Sequence, residues 1–87
     1  MNETQLSQVI DACGKDVLRF CRITAGSAEA GDDLYQDTML TLLEKQERLI
    51  VGENIKSYAV SVALRLWKNR KRKESRRLHL VPQDSLE

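Results

Sequence analysis

A run of basic side chains near the C-terminal end is the part of this chain best suited to binding chemistry. Eight of the fourteen Lys and Arg residues fall between Arg65 and Arg77, and Glu74 is the one acid among them. Lys and Arg neutralise phosphates and release the counterions condensed on a nucleic acid. Such a run is also typical of a solvated helix end, or of a helix that meets a membrane surface or an acidic protein. Charge alone therefore leaves nucleic acid as one of several partners.

The rest of the chain has the opposite balance of charge. Residues 54–87 hold nine Lys and Arg against three acids, whereas residues 1–53 hold five against ten. The formal net charge of +1 conceals this separation. Asp32, Asp33 and Asp37 are close enough in sequence to suggest a magnesium or paired-carboxylate site. Acids in the first turns of a helix are more often explained by the helix dipole, so we prefer that interpretation.

Metal-bound and covalent catalytic chemistry find little support in the residue types. A zinc site needs about four Cys or His ligands placed close together, and the candidates are Cys13, Cys21 and His79. The sequence has no glycine-rich phosphate loop and no Ser, His and Asp set that would support covalent catalysis. We therefore predict that the chain is not an enzyme and holds neither a metal nor a cofactor.

Apolar residues recur at helical spacing in three blocks, and no stretch alternates with the two-residue period of a half-buried strand. We predict an all-α fold, a compact bundle of three main helices whose last helix ends in the basic run. Cys13 and Cys21 would lie about 12 Å apart along the first helix, beyond disulfide reach. Both are predicted to be buried thiols.

The helix boundaries follow from turn and cap residues. Gly26 favours the left-handed conformation that ends a helix, and Ser27 can cap the next one. We predict the second helix from about Ala28 to Arg48 and the third from about Ile55 to Ser75, with a short loop between them. The residues expected in the core of these two helices are Leu34, Thr38, Met39, Leu42, Leu43, Ile55, Tyr58, Ala59, Val62, Ala63 and Leu66.

The length of 87 residues suits one small domain. No run of about 18 apolar residues is present for a membrane span, and the first residues are polar, unlike those of a secretory signal. We therefore expect a cytoplasmic protein without a membrane partner. Residues 1–77 are expected to form the domain, and residues 78–87 a linker or tail.

Two separated motifs in this order carry a resemblance to a known family. Residues 33–40 read DLYQDTML, and after a loop residues 55–58 read IKSY and lead through Ala63 into the basic run. This order resembles region 2 of bacterial RNA polymerase sigma factors, in the extracytoplasmic-function branch of the sigma-70 family. Arg65 and Asn69 depart from that pattern, since they stand where Asn and Asp are usual. The resemblance spans about residues 9–77.

The resemblance implies a domain that joins core RNA polymerase and recognises and melts the promoter minus-10 element. The polar side of the second helix would dock on the clamp helices of the polymerase β′ subunit. Its candidate residues are Asp33, Gln36, Asp37 and Leu40. An anti-sigma factor is a further candidate partner. Sigma factors of this branch also carry a helical domain that reads the minus-35 element, and the chain has no room for it, so we expect a piece of a longer protein.

For DNA, the resemblance implies two elements, namely the loop before the third helix, which captures a flipped base, and the third helix itself. In the loop, Asn54 and its neighbours from Val51 to Glu53 are the candidates, although Asn54 is equally suited to capping the helix. Trp67 is either a platform on which an unstacked base stacks or a core residue. The DNA-binding candidates are Asn54, Lys56, Arg65, Lys68, Asn69, Lys71, Arg72 and Arg76.

Two alternatives from other classes stay open. The chain could be a helical protein-interaction module whose basic helix docks an acidic partner, or a small DNA-binding repressor of the helix-turn-helix type. The turn at Gly26 is not followed by a basic helix, which disfavours the repressor. The motif at residues 33–40 disfavours the interaction module.

Overall fold

The architecture is a bundle of three helices. The computed structural model describes residues 1–50 and 54–79, with side chains up to residue 76. Its elements are α1 (Glu3–Ala25), α2 (Ala28–Glu44), a single 3-10 turn (Gln46–Arg48) and α3 (Ile55–His79). No strand occurs in these two ranges, so the all-α prediction is confirmed. None of the helices in the described part is long and apolar enough to cross a membrane.

The turn between α1 and α2 forms as the sequence predicts. Gly26 takes a left-handed conformation with φ 85°, and its N–H donates to the Arg22 carbonyl at 2.9 Å. The Ser27 hydroxyl then accepts the Ala30 N–H at 3.1 Å and caps α2. Because an L side chain rarely adopts this φ, glycine is the residue that lets the chain reverse here within two positions.

The core lies where the apolar faces of the three helices meet. Most positions predicted from helical spacing are buried or packed against buried residues. Leu43 is an exception at 40% exposed, because it follows the buried Leu42 by one residue and so points about a quarter turn away. The fully or nearly fully buried side chains are Leu6, Val17, Cys21, Leu34, Thr38, Leu42, Leu49, Ile55, Ala59, Val62 and Ala63.

The second and third helices differ in length from the prediction. The chain leaves α2 at Glu44 rather than Arg48 and tightens into the 3-10 turn. This turn brings Leu49, which the sequence placed in a loop, into the core at 6% exposed. At the other end, α3 continues past Ser75 to His79, because the Arg and Leu residues that follow Ser75 are good helix formers.

The prediction that both cysteine thiols are buried is confirmed for one of the two residues. Cys21 is buried, whereas Cys13 is only partly so, and both are free. Burial raises the pKa of the Cys21 thiol, while a hydrogen bond with Thr38 and the charge of Arg70 act in the opposite direction. Burial also raises the pKa of Cys13, with Lys56 opposing it. Both thiols are thus poor nucleophiles near neutral pH.

A close approach between α1 and α2 sets the position of α2. A Cβ atom added at Gly31 would overlap the backbone of Arg22, so glycine permits the two helices to touch. Beside this contact, Arg22 Nε lies 2.8 Å from Asp32 Oδ1. The ion pair raises the pKa of the Arg22 guanidinium. Asp32 therefore belongs to the contact between the helices, and the exposed side of α2 begins at Asp33.

Candidate functional site

The four residues predicted on the polar side of α2 form one continuous surface. Their spacing of three or four residues places them on one side of a helix. The buried Leu34, Thr38 and Leu42 fix the rotation of α2 and turn this side outward. We call it the acidic face, and it consists of Asp33, Gln36, Asp37 and Leu40. Leu40 is 55% exposed and gives the face an apolar centre, so the predicted residues do lie together.

Arg70 of α3 reaches across to the acidic face. Its Nη1 lies 3.1 Å from Asp33 Oδ2, and its Nη2 donates a hydrogen bond to Asp37 Oδ2. The Arg70 side chain is 30% exposed and so partly buried, whereas its basic neighbours Lys68 and Lys71 are exposed. Two of the four predicted polymerase contacts therefore already have a partner within the chain.

Sequence reasoning missed Arg70, although a signal was present. One core-facing series of α3 runs through Ile55, Ala59, Ala63 and Leu66, and Arg70 continues it four residues after Leu66. A residue at this spacing points toward α2 rather than toward solvent. Arg70 was counted in the basic run, but it was assigned neither to the DNA-binding candidates nor to the core.

The exposed side of α3 carries the predicted DNA-binding residues. Arg65, Lys68, Asn69 and Arg72 are all exposed, and they recur every three or four residues. We call these four residues the basic face. A groove of about 340 Å³ follows this face. It is lined by Ser61, Leu64, Arg65, Lys68, Asn69 and Arg72.

A second groove lies between α2 and the distal part of α3. Its volume is about 400 Å³. Asn69 and Arg72 line both grooves. Arg76, a predicted phosphate contact, lines the second groove but not the first. The acidic and basic faces therefore meet along this groove, whose lining residues are Asp37, Leu66, Asn69, Arg70, Arg72, Lys73 and Arg76.

Lys71 lies away from the basic face. Its Nζ is 5.3 Å from the centroid of the Trp67 ring, which is a cation–π geometry. Trp67 is partly buried and packs against the core, as does Tyr58. Of the two interpretations of Trp67, the structure therefore favours the core residue, and the Lys71 ammonium lies over the face of its ring.

Asn54 and Lys56 lie at the opposite end of α3 and are not brought near the basic face. Asn54 Oδ1 accepts the Ser57 N–H at 3.0 Å, so Asn54 caps α3. Lys56 Nζ lies 2.9 Å from Asp16 Oδ2 and ties α3 to α1. This hydrogen bond lowers the pKa of Asp16. Lys56 and Arg65 are separated by about 14 Å along the helix axis, and residues 51–53 of the predicted loop lie outside the described residues.

Metal-ligand residues do not converge in the described ranges. No three His, Cys, Asp or Glu side chains there are arranged to hold a metal ion. Asp33 and Asp37 instead direct their Oδ2 atoms toward Arg70. The site is thus two charged helix faces on one bundle, which suits binding to macromolecules of complementary charge.

Comparison with known proteins assigns the family. The model of the Sigma-70 region 2 family matches residues 9–77, which is more than three quarters of the chain. No match to a curated protein or to a solved structure was found. The family is a non-enzymatic domain of transcription initiation factors. The chain therefore belongs to the sigma-70 region 2 family, whose role is to bind core RNA polymerase and recognise promoter DNA.

Proposed function

We propose that the chain is a region 2 domain of the extracytoplasmic-function branch that docks on the β′ clamp helices and recognises and melts the promoter minus-10 element. The observation that carries this proposal is the presence of two charged faces on adjacent helices. One is acidic with an apolar centre, and the other is basic. The branch itself is proposed on the motif at residues 33–40.

The acidic face is the proposed polymerase contact. Leu40 and Leu43 are 55% and 40% exposed, and they lie beside the carboxylates on α2. A protein interface typically combines a small apolar centre with a polar rim, in which charge-assisted hydrogen bonds set the register. Asp33, Gln36 and Asp37 supply such a rim for a basic partner helix. An anti-sigma factor that covers the same leucines is a further candidate partner.

The basic face is the proposed DNA contact. Arg65 and Arg72 are separated by about 10 Å along the helix axis, with Lys68 and Asn69 between them. Arg and Asn can read base edges, while Lys holds phosphate. Lys71 and Arg76 extend the positive charge beyond this face. A domain that works with polymerase on promoter DNA is proposed to act in the cytoplasm.

Two candidates at the start of α3 keep a secondary role in this proposal. The cap of α3 uses the Oδ1 atom of Asn54 as an acceptor. The N–H groups on Nδ2 of the same side chain are the proposed donors to a flipped base. The Lys56 side chain is about half exposed beside Asp16. Its ammonium carries three donors, so one ion pair does not exhaust its capacity for phosphate.

Titration of the labelled chain with bacterial core RNA polymerase tests the docking surface. We expect saturable binding, and at least about a tenfold loss of affinity in Leu40→Asp, equivalent to 1.4 kcal/mol. The matched control is Ile23→Asp, because Ile23 is 74% exposed on α1 and lies off the acidic face. Circular dichroism verifies that both variants are folded.

The control variant should bind as the wild type does. Equal affinity of Leu40→Asp and Ile23→Asp would contradict the proposed docking surface. Failure of the wild-type chain to bind core polymerase would contradict the proposed function, and capture of acidic proteins in its place would support the interaction-module alternative.

A further inference from the structure

We propose that Arg70 is a positioning residue and not a phosphate ligand. Its guanidinium holds Asp33 and Asp37 in place and fixes the distal part of α3 against α2. The residue thereby sets the geometry of the acidic face. This inference rests on the proposed function, since it assigns Arg70 a role in the docking surface.

The contacts of Arg70 distinguish it from the other cations of the basic run. Its two terminal nitrogens engage two carboxylates, Asp33 and Asp37, that lie on successive turns of α2. Arg presents its N–H groups in a planar fork of fixed geometry, so one guanidinium can hold both carboxylates at the same time. Moving Arg70 to a phosphate would break both contacts.

Burial supports the same assignment. Arg70 is partly buried on the core-facing side of α3, whereas Arg65, Lys68 and Asn69 are exposed on the basic face. The Arg70 side chain is 30% exposed, and both of its carboxylate partners lie on α2. A phosphate ligand needs access to the nucleic-acid backbone, and Arg70 faces α2 instead.

The carboxylates stay accessible while Arg70 holds them. Beside Arg70, the side chains of Asp33 and Asp37 are 68% and 47% exposed. A carboxylate has two oxygens and can accept from more than one donor. A basic partner can therefore reach these exposed carboxylates with Arg70 in place. Docking onto pre-oriented acids costs less side-chain entropy than docking onto mobile ones.

The dependence of DNA binding on salt separates a positioning residue from a phosphate ligand. Each cation that neutralises a phosphate contributes about 0.7 to the slope of log K against log salt for single strands. Removal of a phosphate ligand reduces the magnitude of that slope, whereas removal of a cation that remains paired with carboxylates does not. The matched control is Lys68→Ala, because Lys68 is an exposed cation on the basic face two residues away.

The experiment compares Arg70→Ala, Arg70→Lys and Lys68→Ala in two assays. The first measures affinity for core polymerase, and the second measures affinity for a short single strand of randomised sequence at several salt concentrations. We expect Arg70→Ala to lose about tenfold in polymerase affinity with an unchanged salt slope. Lys68→Ala should keep its polymerase affinity and lose about 0.7 of the slope. Arg70→Lys should be intermediate, because one ammonium cannot form the fork.

Three results would overturn the inference. The first is a salt slope that falls equally in Arg70→Ala and Lys68→Ala, which would make Arg70 a phosphate ligand. The second is unchanged polymerase affinity in both Arg70 variants while Leu40→Asp weakens binding. This result would remove the role of Arg70 and leave the proposed function intact. The third is equal binding by the wild type and Leu40→Asp, which would remove the proposed function and this inference with it.

Discussion

The two ends of α3 belong to one helix but are held by different interactions. From Ile55 to Ala63, the proximal part, the helix is anchored by buried apolar side chains such as Ala59. In the distal part, after Ala63, Leu66 and Trp67 are only partly buried, and Arg70 forms ion pairs with carboxylates of α2. The proximal part is therefore held by burial, whereas the distal part exposes several cations to a partner.

This difference shows how a small domain separates stability from recognition. Apolar burial contributes about 25 cal/mol per Å², whereas exposed ion pairs contribute about 0–1 kcal/mol each. A substitution in the proximal part of α3 should therefore change the fold, and one in the distal part should change binding. Each of the following predictions tests that division, from the largest expected effect to the smallest.

Introducing a charge into the proximal part should have the largest effect. Ala63 is fully buried, so Ala63→Asp places an unpaired carboxylate in the core and should destabilise the domain by more than about 3 kcal/mol. Arg76→Asp is the control in the distal part, where the side chain is exposed, and should change stability by less than about 0.5 kcal/mol. Urea unfolding measures both, and comparable losses would break the comparison.

Removing charge from the basic face should weaken DNA binding without unfolding the chain. The double variant Arg65→Ala, Lys68→Ala should lose about 1.4 from the salt slope for a single strand, because each cation contributes about 0.7. The control is Lys56→Ala, since Lys56 is paired with Asp16 at the proximal end. A slope loss well below about 0.7 in Lys56→Ala sharpens the division, and a loss of about 0.7 would extend the DNA-binding surface over the whole helix.

The two cysteines report on the core during these substitutions. Burial raises the pKa of both thiols, and Cys21 is the more buried, so iodoacetamide should modify Cys21 more slowly than Cys13 at mildly alkaline pH. Mass spectrometry of digested protein measures the two rates. Arg76→Asp should leave the Cys21 rate unchanged, while Ala63→Asp should increase it. Faster modification of Cys21 in the native chain would contradict the packing described above.

The smallest expected effect is a pH dependence at the proximal end. Lys56 holds the pKa of Asp16 below its usual value of 3.8. A carboxyl group with a lowered pKa in the folded state stabilises the fold above its unfolded pKa, and this contribution disappears as the pH falls through the folded pKa. Asp16→Asn should therefore flatten the stability profile slightly in acid. Urea unfolding at several pH values detects the change, and an unaltered profile would show that the exposed pair contributes nothing.

Periodicity in the sequence predicted the proximal part of α3 well, because burial imposes a pattern that a single chain records. Ile55, Ala59 and Ala63 were expected in the core and lie there. The turn at Gly26 and Ser27 was equally predictable, since its residues have specific backbone preferences. The boundary of α2 was wrong, because the 3-10 turn depends on burial of Leu49, a tertiary requirement without a local signal.

The distal part of α3 was predicted less completely than the proximal part. Its spacing identified the exposed side occupied by Arg65 and Lys68, but it could not show that Arg70 pairs with Asp33 and Asp37. An ion pair between residues more than thirty positions apart depends on how two helices pack. Lys56 illustrates the same limit, because its partner Asp16 lies forty positions away.

The central claim is that separate faces bind polymerase and DNA. The most direct measurement titrates two double variants with core polymerase and with a single strand of DNA. The first variant combines Gln36→Ala with Leu40→Asp, and the second combines Arg65→Ala with Lys68→Ala. The first pair leaves the Arg70 contacts in place, since neither residue takes part in them. We predict that it loses polymerase binding and keeps the salt slope for DNA, and that the second pair does the reverse. Loss of both activities in either folded variant, or of neither, would contradict the account.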